Sequence, residues 1–361
     1  MIIAYFGLLA IFGVYSYALM DPNITFFQSN VWARFRDWII TFGYYHRDNS
    51  TYLYSGIIIL LFLFQYYAVY KSKRDYFIPV LIAVSILGIL SYPFLSHDLF
   101  NYLFDAKILT FYHQNPYLHR ALDFPHDPWL RFMHWTHRTY PYGPSFLPIT
   151  LIPLFLSAGK FIIAFILYKA MNTGLFIISA LALHKLHKKA SLFYITSPLV
   201  LIEGLMNAHN DMIGLSLAII GIYLLTHAKS VQGRIVLLVS GLIKYITLPS
   251  LFISPVNNRL NKVLFVATCG LLLYLCSTSE IQGWYYLSLF VFLPFFYEGL
   301  GKLSLFTSGL LLAYIPYIRF GGWDKQFEVD MKHQIIIFFF VLNVAYLLYR
   351  HFSLHRQTKN P

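Results

Sequence analysis

Two carboxylates stand out in the stretch Ser96–His119, "SHDLFNYLFDAKILTFYHQNPYLH". Asp98 and Asp105 are seven residues apart, so on a helix they share a face, about 10 Å apart along the axis. That is too far to assume the pair of a retaining glycosidase, whose carboxyl groups stand about 5 Å apart. One carboxylate alone still serves as general base for a hydroxyl nucleophile. The purely structural alternatives are that Asp98, after Ser96 and His97, caps a helix starting there, and that Asp105 pairs with Lys107 or Arg120.

Other chemistry-bearing residues are spread along the chain. "NAHND" at 207–211 sits in a very short connection between two apolar runs. Asn210 or Asp211 caps the following helix, or His209, Asn210 and Asp211 line the same cavity as Asp98. Lys244 interrupts an apolar stretch, and Glu203 interrupts another. An ionisable group at membrane depth is costly and points to function or pairing, and an anionic lipid phosphate is a partner for Lys244. The alternative for Lys244 is snorkelling to a headgroup. Trp284 and Tyr285 belong either to an interfacial aromatic belt or to a sugar-stacking surface. "NPY" at 115–117 and "TYPYGPSF" at 139–146 are turn-rich and indicate a structured loop. His126, His134 and His137 are scattered, and no phosphate loop, HExxH, zinc spacing or nucleophile elbow occurs, so no metal and no cofactor is expected.

The elements that must position these residues are membrane helices. The 361 residues are 58% hydrophobic and 12% charged, with mean hydropathy +0.59, which excludes a water-soluble domain of this length. Apolar runs near 2–20, 55–70, 76–95, 161–183, 190–206, 211–227, 262–278, 284–299, 303–318 and 334–350 predict an all-α polytopic membrane protein of about ten transmembrane helices. Cys269 and Cys276 lie on one predicted helix, too far apart to bridge, and read as core residues. The formal charge of +12 collects in short connections, "KSKRD", "HKLHKK" and "NNRLNK", and in the tail "YRHFSLHRQTKN". That is the positive-inside pattern, with membrane lipids as the partner and no nucleic acid.

Placing the basic connections in the cytoplasm puts 96–160 outside as a large structured loop. Its apolar, proline-broken end lies in the interface rather than spanning. Residues 21–54, with Trp32, Phe35 and Trp38, also read as an outer interfacial loop. The charge trace closes only if 235–256 enters and leaves on one side, as a re-entrant hairpin of two half-helices meeting near Lys244, Tyr245 and Pro249.

In their order, "HDLFNYLFDAKIL…QNPY", "YPYGPSF", "NAHND", an intramembrane lysine and "WY" at a helix entrance resemble the GT-C glycosyltransferase superfamily. The likeness is nearest to bacterial polyprenyl-phosphate-mannose-dependent mannosyltransferases and covers roughly 76–300. It implies a GT-C type fold and an integral membrane hexosyltransferase of the cell (plasma) membrane. Such an enzyme moves mannose from a polyprenyl-phosphate-linked donor to the hydroxyl of a glycan or glycolipid acceptor, at the extracytoplasmic face and with inversion. The resemblance makes Asp98 the catalytic base. His97, Asp105, Tyr142, His209, Asn210, Asp211, Lys244, Trp284 and Tyr285 are the expected substrate-binding residues, with Lys244 and His209 toward the phosphate. Relatives often read Asp-x-x-Arg-Tyr-x-Trp-Asp-Gly-Arg. Here Asn101, Phe104, Ala106 and Lys107 replace the arginine, tryptophan, glycine and last arginine, which bears on sugar specificity. The expected organisation is 1–75 as additional helices with an interfacial loop, 76–300 as the catalytic core, and 301–361 as further helices with a basic cytoplasmic tail. The competing function is a flippase or transporter without covalent chemistry. The long structured loop and the lack of internal duplication argue against it.

Overall fold

The computed structural model describes residues 1–359, and the end of the basic tail, residues 360–361, lies outside them. Helices and their connections make up the described residues, with no strand among them. Among the described residues five helices are long and apolar enough to cross a membrane: Ile2–Leu19, Arg47–Lys71, Phe161–Leu186, Asn258–Thr278 and Gln326–Ser353. Two bent pairs, Lys188–Thr196 with Val200–Met206 and Gly283–Gly301 with Ser304–Phe320, raise the number to seven if each is one span.

The expected count of about ten takes every apolar run as a full crossing, and the fold shortens or breaks several of them. The run 76–95 yields only the 14-residue helix Phe77–Leu90, because Ser91 turns extended ahead of Pro93. The run 190–206 breaks at Ser197, held extended by the ring of Pro198, and bends by 68°. The runs 284–299 and 303–318 meet at 99°. Residues 21–54 are not one loop. Asn30–Tyr45 is a helix with Trp38 exposed, and the crossing helix already begins at Arg47. Both cysteines are free and only half-buried rather than core.

The segment 235–256 doubles back on itself. The helix Ser230–Ile243 ends at Lys244, which is extended, and a 3₁₀ arm, Tyr245–Phe252, returns beside it. Ser240 Oγ and Thr247 Oγ1 stand 3.2 Å apart across the two arms. Further from the apex, the Arg234 guanidinium donates to the Leu251 carbonyl. The returning arm is 3₁₀ rather than the expected half-helix, and it contains Pro249, which has no N–H to give to an α-helical ladder.

Close packing sets the height of that apex. The helices Asn210–Thr226 and Ser230–Ile243 touch backbone to backbone at Gly221 and Gly233, where an added Cβ would lie 3.0 Å or less from the facing carbonyl. Ser240 Oγ also donates to the Gly214 carbonyl at 2.7 Å. Lys244 is thereby brought level with Asp211.

The 96–160 segment folds over this apex. Its first part is a buried helix, Asp98–Thr110, and its apolar end is the 11-residue helix Phe146–Leu156, too short to cross a membrane. Between them, Lys107 pairs with Asp127 at 2.5 Å and Arg120 with Asp123 at 3.2 Å. Neither cation pairs with Asp105. The "YPYGP" turn docks on the hairpin: Ser145 N donates to the Leu242 carbonyl, and a Cβ on Gly143 would stand 1.9 Å from that oxygen. Only glycine allows so close an approach.

Candidate active site

Asp98 is the first residue of its helix, yet its side chain does not cap it. The Ser96 hydroxyl accepts from the Asp98 N–H at 3.2 Å, which leaves the carboxylate free. Asp98 Oδ2 accepts from the Tyr102 hydroxyl at 3.5 Å and lies 3.5 Å from His209 Nδ1. The Asp98 side chain keeps 17% exposure, whereas His209 has none. The carboxylate therefore keeps a partly exposed edge, and the imidazole stands buried behind it.

His209 is clamped. Its ring stacks on Trp284, with centroids 4.1 Å apart and planes at 22°. Its Nε2 is 3.4 Å from Glu203, which is fully buried. Glu203 accepts from the Tyr314 hydroxyl at 2.9 Å and from the Asn207 amide at 3.1 Å. Asp98 and Glu203 face opposite ring nitrogens and so do not converge on one point. Among the described residues no cluster of three or more His, Cys, Asp or Glu is placed to hold a metal.

The other sequence-predicted residues divide into two groups. Asp211 pairs with Lys244 at 2.9 Å, and Lys244 lies 5.8 Å from the centre of the Tyr285 ring. Lys244 is therefore charge-compensated rather than a bare cation, and its side chain keeps 21% exposure. Asn210 does not cap its helix; its backbone N–H donates to the Tyr102 hydroxyl at 3.4 Å. Tyr142 lies edge-on to Tyr102, centroids 5.0 Å apart, and accepts from Arg138 at 2.8 Å. Trp284 serves as the platform under His209 rather than as a belt residue. His209, lodged between two carboxylates, has no open face toward a phosphate.

His97 and Asp105 stand apart from this group. The His97 ring stacks face to face on His134, centroids 3.5 Å apart, and burial, helped by His134, lowers its pKa to about 3. Asp105 is buried one helix stretch deeper, with one carboxylate oxygen unpartnered. Burial raises its pKa to about 7, with the Asp98 charge adding and Arg138 opposing. For Asp98 the balance goes the other way. Burial pushes its pKa up, but His209, Arg138 and Lys244 together hold it below the ordinary carboxylate value. Environment thus separates two acids on one helix face, pushing Asp98 below and Asp105 above the ordinary carboxylate value.

The profile of a family described as alpha-(1->6)-mannopyranosyltransferase, N-terminal domain (the MptA_B family), matches residues 5–256. The chain belongs to this family. No curated protein and no solved structure matches it. The family match takes in both long helices of the first 75 residues as well as the loop and the hairpin, and membership makes the chain a mannosyltransferase of GT-C-like kind.

Sequence reasoning missed several residues in and around this candidate site. Arg138 lies in a polar loop, where one arginine resembles any other. Tyr102 joins Asp98, Asn210 and Tyr142, but only the fold reveals that. Lys169 could have been found: it is a lone cation in the apolar run 161–183, the same signal that picked out Lys244. Glu203 was noticed, but its partners were not.

Proposed function

We propose that this membrane mannosyltransferase takes mannose from a polyprenyl-phosphate donor and transfers it, with inversion, to an acceptor hydroxyl at the extracytoplasmic face of the plasma membrane. The carrying observation is Asp98: a partly exposed carboxylate, backed by a fully buried imidazole, with His209, Arg138 and Lys244 close enough to hold its pKa below the ordinary value. In the proposed step the acceptor oxygen attacks the anomeric carbon, its proton passes to Asp98, and the carbon–oxygen bond to phosphate breaks with its electrons leaving on the phosphate. A phosphate leaving group needs little protonation, so one base and nearby cations suffice.

A β-linked donor would give an α-mannoside, in keeping with the alpha-(1->6) product in the family's description. Lys244, shared with Asp211, and Arg138, bonded to Tyr142, are the cations offered to the departing phosphate. Trp284, Tyr285 and Tyr142 supply aromatic surface, and Asn210 and Asp211 complete the polar surroundings. The long apolar helices hold the site where a lipid-linked donor resides, which supports a GT-C type membrane architecture. The reaction needs no cofactor.

The test is transfer by purified protein from a panel of polyprenyl-phosphate hexoses, read by mass spectrometry and by the anomeric configuration of the product. Mannose transfer with inversion is expected. Retention, or movement of the lipid-linked sugar across a bilayer with no transfer from any donor, would overturn the reading.

A further inference from the structure

Glu203 is held by an unusual backbone. Val200–Met206 winds as a π-helical turn, a form frequent at functional sites. The last carbonyls of this segment, which a helix end leaves without internal partners, are collected by one neighbouring helix, Phe161–Leu186. Lys169 Nζ donates to the Leu205 and Met206 carbonyls at 2.8 Å each, and Asn172 Nδ2 donates to the Gly204 carbonyl at 2.8 Å. Lys169 is fully buried and its third contact is Ser91 Oγ at 3.2 Å. An ammonium at the carbonyl end of a helical turn is favourably placed there. Beyond the turn, Ala208 takes a left-handed φ of 55°, a strained conformation for a residue with a Cβ. That reversal brings His209 back over Glu203, and the His209 N–H donates to the Glu203 carbonyl at 3.2 Å.

The Glu203 carboxylate is confined on every side. Tyr314 and Asn207 donate to it, and the Gly283 backbone lies so close that an added Cβ would stand 2.6 Å from Oε1. With no exposure, Glu203 cannot touch a substrate. It faces the partly exposed Asp98 through His209, whose other nitrogen lies 3.5 Å from the Asp98 carboxylate.

We propose that Glu203 is a positioning residue for mannosyl transfer, acting through His209 to fix the place and charge of Asp98, with Lys169 anchoring the turn that aims it. The inference rests on Asp98 as the base. Glu203→Gln keeps the size of the side chain and an oxygen for Tyr314 but removes the charge facing His209. Its kcat should fall about 10- to 100-fold, the range seen when the outer partner of a functional histidine is lost, with donor KM little changed. The discriminating measurement is the double variant. If Glu203 acts through Asp98, Asp98→Asn/Glu203→Gln should be no slower than Asp98→Asn alone, because residues that work as one unit are not additive. If Glu203 only packs the core, the two losses should multiply. If Glu203→Gln does not fold, Tyr314→Phe carries the test. It removes one bond to Glu203 Oε1 and should give a smaller loss, again absent in the Asp98→Asn background. Wild-type kcat in Glu203→Gln, or multiplying effects beside an impaired Asp98→Asn, would overturn this inference alone. An active Asp98→Asn would overturn the base assignment beneath it.

Discussion

At the scale of single residues, environment separates Asp98 from Asp105. Asp105 has an ordinary pKa of 3.8 and is raised by burial to about 7. The folded state therefore binds a proton more tightly than the unfolded chain. Its neutral form costs nothing extra below about pH 4, and stability is lost as pH rises through 7. Asp105→Asn imitates the neutral form at every pH. Its thermal-melt advantage over wild type in detergent should grow between pH 4 and 7 and level off above, reaching at most about 4 kcal/mol. A difference that does not vary with pH would show that Asp105 is stably charged in the fold. The sequence marked both acids, because a carboxylate beside an apolar run needs a reason. It could not tell them apart, since the groups that do so, His209, Arg138 and Lys244, lie far away in sequence.

At the scale of elements, the site depends on a few backbone contacts. The hairpin at Lys244 was legible because a lysine and two prolines interrupt an apolar stretch. Its partner Asp211 was not, since pairing depends on how closely two helices approach at Gly221 and Gly233. The break at Pro198 and the π-turn after it left no periodic trace, so the run 190–206 read as an ordinary span. The docking of the "YPYGP" turn gives a direct test. Gly143→Ala should force the turn off the Leu242 carbonyl, costing about 1–3 kcal/mol of stability as overpacking does and lowering transfer by displacing Tyr142. Gly56→Ala, mid-helix with nothing within 4 Å of the added carbon, should leave transfer unchanged and stability no lower. Equal melting temperatures and rates for the two variants would contradict the docking. Likewise, Lys169→Met should loosen the π-turn and lower kcat more than donor KM; an unchanged kcat would show that the turn needs no anchor.

At the scale of the whole molecule, composition revealed an apolar helical protein, and charge bias proposed its sidedness. The number of crossings was not legible, because hydropathy counts apolar residues and not the prolines and bends that break a helix. Sidedness can be tested at Leu118, which is 73% exposed in the 96–160 loop. In a variant with Cys269 and Cys276 replaced by serine, Leu118→Cys should react with a membrane-impermeant thiol reagent in intact cells. Labelling only after permeabilisation would invert the orientation. The central claim is that the fold exists to present Asp98 as a base to an acceptor hydroxyl beside a lipid-linked mannose. Its most direct test is the rate of mannosyl transfer by purified, correctly folded Asp98→Asn protein. Asparagine keeps the size of the side chain but cannot accept the proton. A loss of roughly 10²–10⁴-fold in turnover with donor binding retained is the predicted result; transfer near the wild-type rate would contradict it.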